Sequence, residues 1–319
     1  MTLALDAARA QAGLGADHPA VLLAMGACLE NLVQAATRAG LPPAQMQFPG
    51  GDHDAFLRIS AAGGESVPDA ADTSYFTARH TSRVPFSRDP LPSTLLDELQ
   101  ESREGKAQVR VFSAPAQIAC IAGLIEAASQ ARFQNAEIHR WLVASLRLSE
   151  SQAAQGDGLD VATLGLPPGG RLLMRLIADW RRMSVLNKLG AYKLLAKVEA
   201  LSVAHCGAVL AVMAPTWGTP DMLSAGRLLE RIWLLLNHQG IAVHPYFVLS
   251  DQLYRRDTGR LPPAHVAPVN ALAGSSRTVF RDGDLQPAVL LRVGRTAAQV
   301  PRSRRLPIAQ VFASSVLCK

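Results

Sequence analysis

The sequence predicts an α+β protein in which two related halves share one chain. Helical and strand-like patterns alternate along its 319 residues, a length that suits one large domain or two modest ones. Hydrophobic residues make up 49% and charged residues 18%, an ordinary balance for a globular chain. Two long helical patterns, at 17–40 and 219–240, resemble each other at a constant spacing. We therefore treat 1–319 as a single domain.

The internal repeat pairs residues that lie 200 positions apart. The identical pairs are Gly26 and Gly226, Leu29 and Leu229, Glu30 and Glu230, and Gly40 and Gly240. A glycine inside a helix costs ~1 kcal/mol relative to alanine, so the inner pair needs a reason, and a close approach of the two helices is the simplest. Buried helices also resemble one another without duplication. The constant spacing favours a pseudo-twofold body, with 1–78 as a reduced first half and 79–319 as a fuller second half.

The other elements follow from local patterns. Asp17-His18-Pro19 opens the first long helix, and Thr219 is the predicted N-cap of the second, with Pro220 at its first position. The composition of 255–285, rich in proline, glycine and arginine, predicts a loop, as does 61–74. Further helices are predicted at 93–103, 115–132 and 135–148, and strands at 55–60, 108–112, 208–213, 241–249 and 287–293.

A basic helical insertion is predicted at about 171–201, with a break near Gly190. Seven arginines and lysines alternate there with leucine, isoleucine, Trp180 and Tyr192. Such a pattern is typical of an amphipathic helical pair with a solvated basic face. It also suits a mobile cover over a site that holds an anion, or a segment that binds a membrane surface.

Charge and cysteine usage restrict the partners. The net charge of +6 favours an anionic partner, either a phosphorylated small molecule, an acidic surface or a nucleic acid. Aromatic residues make up 5% and no nucleic-acid motif is present, so we expect no nucleic-acid partner. No apolar run approaches ~20 residues and no leader pattern opens the chain, so we expect no membrane partner and a cytoplasmic location. The four cysteines are scattered, and we expect three of them to be buried fillers and none to bind metal.

The stretch most suggestive of a binding site is Arg79-His80-Thr81-Ser82-Arg83. Two guanidinium groups flank an imidazole and two hydroxyls, just before a predicted helix. Arginine matches the geometry of phosphate oxygens, and Ser and Thr hydroxyls complete such a shell. A second cationic run, Arg302, Arg304 and Arg305, lies near the end of the chain before Leu306-Pro307. The alternative is that both runs are solvated basic segments.

The Arg79–Arg83 stretch resembles the signature with which the nitroreductase superfamily grips FMN. The helices around Gly26 and Gly226 and the late segment 287–294 resemble the same superfamily in the same order, most closely its long-chain branch of mycobacterial dormancy-associated FMN proteins. The resemblance implies a nitroreductase-like fold, with a mixed, mostly antiparallel sheet flanked by helices. It also implies that the two long helices cross and that FMN lies in the crevice between the halves.

The resemblance implies roles for particular residues. Residues 79–83 would hold the phosphate, ribityl chain and pyrimidine end of FMN, with Arg83 near the pyrimidine carbonyl. The second phosphate contact would come from Arg302, Arg304 and Arg305. The loop beside flavin N5 corresponds to Pro245, Tyr246 and Phe247, which alternatively pack in the core. No side chain is needed as a catalytic acid or nucleophile, so none is nominated, and no metal site is expected.

The resemblance further implies an FMN-dependent NAD(P)H oxidoreductase that transfers hydride in a ping-pong cycle to a nitroaromatic, quinone or similar small molecule. The alternative is an FMN storage or sensing protein whose pocket is covered and has no nicotinamide turnover. The long-chain branch begins with an Ala-Pro-Ser…Asn…Gln-Pro-Trp segment that this sequence lacks. We therefore expect a late start, a fusion partner upstream or a homodimer, and nicotinamide binding remains an open question at this point.

Overall fold

The computed structural model describes residues 2–3, 5–12, 14–38, 40, 45–47, 57–60, 74–166, 168–281 and 283–311. The predicted loop 61–74 and Cys318 fall almost entirely outside these residues. The strands are β1 (Thr2–Leu3), β2 (Gln45–Gln47), β3 (Leu57–Ser60), β4 (Arg103–Glu104), β5 (Ala107–Phe112), β6 (Leu146–Arg147), β7 (Leu159–Asp160), β8 (Ala208–Ala214), β9 (Ala242–Tyr246) and β10 (Gln286–Gly294).

The helices surround these strands, with a short 3-10 turn at Val161–Leu164. They are α1 (Ala7–Ala12), α2 (Pro19–Arg38), α3 (Ser74–Thr77), α4 (Ser93–Glu101), α5 (Pro115–Phe133), α6 (Ala136–Ser145), α7 (Glu150–Ala153), α8 (Gly170–Ile177), α9 (Trp180–Lys188), α10 (Ala191–Ala204), α11 (Thr219–His238), α12 (Val248–Asp257), α13 (Pro263–Phe280) and α14 (Ile308–Val311).

A five-stranded sheet in the order β4-β5-β8-β10-β9 forms the centre of the molecule. Its neighbouring strands pair antiparallel throughout, while the small β6–β7 pair is parallel. Every residue of β8 is buried, because both faces of this central strand are covered. The predicted α+β class, with a mostly antiparallel sheet flanked by helices, is therefore confirmed.

Each face of the sheet has its own hydrophobic core. Alternate β8 residues, Leu210 and Val212, pack with α2, α4 and α11 on one side. Their neighbours Val209, Ala211 and Met213 pack with α5, α10, α12 and α13 on the other. The period of two in the strand thus places the helices in two layers, one on each side of the sheet.

Helices α2 and α11 touch through backbone at the two predicted glycines. A Cβ on Gly26 would lie 2.9 Å from the Gly226 Cα and would overlap the Leu223 carbonyl oxygen. A Cβ on Gly226 would lie 3.0 Å from the Gly26 Cα and would overlap the Leu23 carbonyl oxygen. The predicted close helix approach is confirmed, and it explains why alanine, the better helix former, is absent from both positions.

The polar contacts beside this crossing also join residues at equivalent positions of the 200-residue repeat. Glu30 accepts hydrogen bonds from Arg231, with Nε at 2.8 Å, and from Arg227. Glu230 accepts one from Asn31 Nδ2 at 2.9 Å. Each glutamate therefore contacts the residue that follows its counterpart in the other helix. This reciprocity supports the duplicated unit, which remains a prediction for the halves 1–78 and 79–319.

Several expectations about local structure were wrong. Most of 255–285 is helix, because Pro263 stands at the first position of α13, where a missing N–H costs nothing. Thr219 is the first residue of α11, and Gly218 is its N-cap. Cys28 and Cys120 are exposed, and Cys206 is buried as predicted. Helix α2 is long and apolar enough, by length and composition, to cross a membrane, although here it packs against α11.

Candidate functional site

The segment 79–86 lies beside β9, the edge strand of the five-stranded sheet, and hydrogen bonds to and from its backbone hold it there. Ser82 N donates to the Val243 carbonyl oxygen at 2.8 Å. Arg292, a buried residue of β10, donates from Nη2 to the Val84 carbonyl oxygen at 2.8 Å and lies 3.9 Å from the centre of the Phe86 ring. Because Val84 and Phe86 are buried, the segment is rigidly held, and it directs Arg83 into a pocket.

The pocket has a volume of about 470 Å³, within the usual range of ~300–1,000 Å³ for small-molecule sites. Three aromatic side chains from different elements contribute to its wall, namely Trp141 of α6, Phe247 before α12, and Tyr254 of α12. The N-terminal end of α2 closes another side through His18 and Ala20. Aromatic and aliphatic walls with a few charged groups suit a planar organic ligand.

The charged groups on the wall are mainly cationic. Four arginines, Arg83, Arg132, Arg255 and Arg260, oppose the two carboxylates of Glu137 and Asp251. This excess favours an anionic ligand.

Two of these arginines already have carboxylate partners. Arg255 Nε lies 3.0 Å from Asp251 Oδ2, and its Nη1 lies 3.3 Å from Glu137 Oε1. Arg132 pairs with Glu199. In the part of the chain that the structure describes, Arg83 and Arg260 make no ion pair. Burial lowers the pKa of Arg83, so its guanidinium is partly desolvated without an anion beside it.

His18 connects the first half of the chain to the pocket. Its Nε2 lies 3.5 Å from Asp251 Oδ1, and its ring lies 5.1 Å from the Tyr254 ring and 5.8 Å from the Phe247 ring. The residue is buried, and Nε2 has no well-formed hydrogen bond within the described residues. A buried polar atom without a partner at the pocket wall is a suitable contact for a bound ligand.

Arg79 is held at the helix crossing. Its Nε lies 2.8 Å from Glu230 Oε1, and its guanidinium lies 4.6 Å from the Trp233 ring centre. Arg305 Nη2 donates to the Arg79 carbonyl oxygen at 3.0 Å, and Arg302 Nη1 donates to the Thr77 carbonyl oxygen at 3.4 Å. The structure thus brings Arg302 and Arg305 to the predicted arginine segment from more than 220 residues away.

The remaining predicted residues divide between pocket and core. Pro245 and Phe247 line the pocket, whereas Tyr246 packs in the core on the α5 side of the sheet, where burial raises its pKa to about 12. Arg304 reaches Glu150, with 3.2 Å between Nη2 and Oε1. Ser82 is fully buried, and its hydroxyl has no partner among the described residues.

His80 and Thr81 complete the predicted segment. The backbone N–H of His80 donates to Asn237 Oδ1 at 3.0 Å, and its carbonyl oxygen accepts from Trp233 Nε1 at 3.2 Å. Thr81 is half-buried between His80 and Ser82. His80 therefore ties the segment to α11, next to the cationic groups.

Sequence reasoning missed several wall residues. Arg255 and Arg260 fell in the supposed loop 255–285, and His18 was interpreted only as part of a helix start. Trp141 and Arg132 lie on helices predicted correctly, but nothing in a helical pattern shows which side faces a pocket. No group of three or more His, Cys, Asp or Glu side chains among the described residues could hold a metal ion.

The fold and the site together define an α+β protein with a cationic, aromatic-lined pocket between the start of α2, the edge strand β9 and helices α5, α6 and α12. No family model and no curated protein matches the sequence. Among solved structures, the chain is similar to the FMN-dependent nitroreductase NfnB of Mycobacterium smegmatis in complex with NADPH, at 14% identity and a TM-score of 0.42, covering 76% of this chain and 96% of that one.

Two further solved structures are similar. One is a nitroreductase with bound FMN from Bacteroides fragilis, at 10% identity and a TM-score of 0.41, covering 76% and 99% of the two chains. The other is an iodotyrosine deiodinase bound to FMN and 3-iodo-L-tyrosine, at 14% identity and a TM-score of 0.38, covering 73% and 94%. At such scores the likeness carries no argument about this chain's chemistry.

Proposed function

We propose that the protein is an FMN-dependent NAD(P)H oxidoreductase of nitroreductase type, passing hydride in a ping-pong cycle to a nitroaromatic, quinone or similar acceptor. The observation that supports it most strongly is the partly desolvated Arg83, which faces a pocket of about 470 Å³ and has no carboxylate partner in the described part of the chain. Bound FMN would supply the hydride chemistry, and the protein would supply binding, orientation and electrostatics.

The residues present fit a flavin mononucleotide. The Arg83 guanidinium is placed to stabilise negative charge at the edge of a planar ring system, and Phe247 and Pro245 offer apolar contact beside it. His18 Nε2, on the pocket wall, makes no hydrogen bond among the described residues, and a polyhydroxylated ligand would satisfy it.

The phosphate end would be held by Arg79, Arg302 and Arg305. Arg302 and Arg305 donate to the backbone of 77–79 next to Arg79, outside the wall of the pocket, and burial together with the Arg79 charge lowers the pKa of Arg305. Cations held this close to each other favour a dianionic ligand that relieves their repulsion. Glu230 already contacts Nε of the Arg79 guanidinium, so a phosphate would share this guanidinium with Glu230.

The alternative is an FMN storage or sensing protein without nicotinamide turnover. One observation favours it, namely that α6 closes one side of the pocket through Ile138, Trp141 and Leu142. The His139 ring lies 5.1 Å from the Trp180 ring, which ties α6 to the basic helix α9. A pocket covered in this way would leave little room for a second planar ligand such as nicotinamide.

An absorbance spectrum of the purified protein distinguishes the oxidoreductase from the storage or sensing protein. We expect a flavin band that bleaches when NADPH or NADH is added without oxygen and returns when a quinone is added. A band that persists with reduced nicotinamide would support the storage protein. A protein that neither retains FMN nor binds added FMN would contradict both proposals.

A further inference from the structure

The three helices α8, α9 and α10 carry most of the exposed hydrophobic surface. Of the eleven large hydrophobic side chains that are exposed within the described residues, eight lie between 172 and 201. The most exposed of these eight are Leu189 at 82%, Leu172 at 73% and Leu194 at 68%. Isolated exposed leucines are ordinary, but eight exposed large hydrophobic side chains on three successive helices indicate an interaction surface.

The same helices carry a strong excess of positive charge. Their seven cationic side chains are all exposed, namely Arg171, Arg175, Arg181, Arg182, Lys188, Lys193 and Lys197. Of these, Lys197 has an acidic partner within the described residues, Glu126 at 3.3 Å. We call the exposed side chains of 171–201 the basic–apolar face.

Two acidic residues lie in this segment, and both already have hydrogen-bond or ion-pair partners. Asp179 accepts hydrogen bonds from the first backbone N–H groups of α9, and Glu199 pairs with Arg132 of α5. Asp179 therefore offsets at most one of the seven positive charges, and Glu199 is paired with a cation outside the segment.

Helix α10 shows how the face is separated from the core. Ala196, Ala200 and Val203 are buried against α5, whereas Leu194 and Val198 emerge on the opposite side of the helix. Lys193 and Lys197 flank these two residues one turn apart. Leu189 stands at the turn before α10, which Gly190 closes with a φ of +90°. Leucine and lysine thus project from the same side, away from the sheet.

We infer that the basic–apolar face binds the surface of an anionic lipid membrane. Leu172, Leu189 and Leu194 would enter the boundary between headgroups and acyl chains, and the cations would contact lipid phosphates, which is the arrangement of interfacial amphipathic helices. This inference does not depend on the proposed flavin chemistry. It replaces the expectation from the sequence that the protein has no membrane partner.

Charge complementarity selects this occupant over two others. A second copy docked by twofold symmetry would place seven cations against the same seven cations. A nucleic acid would pair with the cations but leave the leucines in water, and single-strand binding relies on stacked aromatic side chains, whereas the exposed apolar groups here are leucine and valine. An anionic bilayer offers phosphates to the cations and an apolar interior to the leucines and valines of this face.

Co-sedimentation of the full chain with vesicles tests the inference. We expect binding to vesicles that contain phosphatidylglycerol, little binding to pure phosphatidylcholine, and weakening as salt is raised. Leu189→Ser with Leu194→Ser should lower the partition coefficient at least roughly tenfold, because two exposed leucines no longer insert. Lys188→Glu with Lys193→Glu should lower it by roughly fivefold or more per residue.

A matched control uses exposed residues on another helix. Val266→Ser with Arg277→Glu changes one exposed aliphatic and one exposed cationic side chain of α13, and it should leave vesicle binding unchanged. Circular dichroism confirms that each variant is folded.

Three outcomes would overturn the inference. The first is equal binding to neutral and anionic vesicles, or no binding to either. The second is a concentration-dependent dimer that the leucine variants dissociate, which would assign the face to a second copy. The third is salt-dependent binding of an oligonucleotide that the lysine variants abolish and the leucine variants leave intact.

Discussion

Arg83 and Arg79 lie four residues apart in the predicted segment and have different surroundings. Arg79 is paired with Glu230 at the helix crossing, whereas Arg83 faces the pocket and makes no ion pair within the described residues. A guanidinium that is already paired gains less from a ligand anion than an unpaired one. We therefore expect Arg83 to contribute more to ligand affinity than Arg79.

Replacing Arg83 tests this expectation directly. A charge-assisted hydrogen bond is worth ~1.5–3 kcal/mol, so Arg83→Ala should weaken FMN binding by roughly 10- to 150-fold. Quenching of FMN fluorescence on titration measures the change. Arg88→Ala is the control, because Arg88 is exposed and contacts His205 outside the pocket. Equal affinity in the folded Arg83 variant would remove the main support for the flavin site, and the double variant with Arg79→Ala should lose FMN altogether.

Glu30 and Glu230 occupy equivalent positions of the repeat but have opposite electrostatics. Burial raises the pKa of Glu230, and Arg79 and Asn31 only partly compensate. Burial acts on Glu30 as well, but hydrogen bonds from Arg231 and Gln34 outweigh it and lower the pKa of that carboxyl. The negative charge of Glu30 is therefore stabilised by the fold, and that of Glu230 is opposed by it.

This difference predicts unequal effects of two matched substitutions. Glu30→Gln should lower the free energy of unfolding by about 2–3 kcal/mol, because Arg227 and Arg231 lose their shared partner, although Glu104 still contacts both. Glu230→Gln should cost less, since it removes a charge that burial disfavours. Urea denaturation of both variants gives the comparison, and a larger loss for Glu230→Gln would contradict it.

At the scale of elements, α2 and α11 approach so closely at Gly26 and Gly226 that no side chain fits between their backbones. Gly26→Ala places a methyl group against backbone that cannot rotate away, so the helices must separate. We expect a loss of about 3 kcal/mol or more in unfolding free energy, within the range for overpacked cores. Gly226→Ala should behave in the same way.

The matched control for this prediction is Gly123→Ala in α5. It adds the same methyl group to a helix interior, but nothing lies within 4 Å of it. We expect this variant to be stabilised by about 0.5–1 kcal/mol, because alanine has the higher helix propensity. Thermal unfolding of the three variants should therefore show shifts of opposite sign. A Gly26 variant as stable as the wild type would mean that the helices are further apart than described.

At the scale of the whole molecule, stability should depend on pH through His244. Burial, together with the Arg292 and Arg83 charges, lowers the pKa of His244 well below its ordinary value. The folded protein then binds fewer protons than the unfolded chain below pH ~6.5, so stability is constant above that pH and falls below it, by at most ~1.4 kcal/mol per pH unit. Burial lowers the pKa of His265 too, with the same sign.

Urea denaturation at a series of pH values between 7 and 5 measures this dependence. His244→Asn removes the titrating ring, so its unfolding free energy should fall less steeply in that window than that of the wild type. Parallel curves for the two proteins would show that His244 does not titrate differently in the folded and unfolded states.

The sequence predicted best those features that depend on neighbouring residues in the chain. The glycine pair predicted the helix contact because a helical glycine carries an energetic cost that needs a cause. Alternating apolar residues predicted β5, and a continuous apolar run predicted β10, each within a residue or two. In contrast, α13 was missed because its prolines were interpreted as helix breakers, although Pro263 occupies the position where proline is favoured.

The candidate site was predictable only in part, for a physical reason. Arg83, Pro245 and Phe247 were identified by resemblance, and the structure places all three on the pocket wall. The pairing of Arg79 with Glu230 joins residues 151 positions apart, and no local pattern encodes such a contact. The wall contributed by α6 and α12 likewise depends on which helix face the tertiary packing turns inward.

The backbone contact between Gly26 and Gly226 has a consequence for how the pocket opens. With no layer of side chains between them, α2 and α11 cannot slide or tilt independently, so they form a fixed spine along one flank. His18 stands at the start of that spine and lines the cavity. We therefore expect a ligand to enter on the side lined by α6, which His139 joins to Trp180 of the basic helix α9.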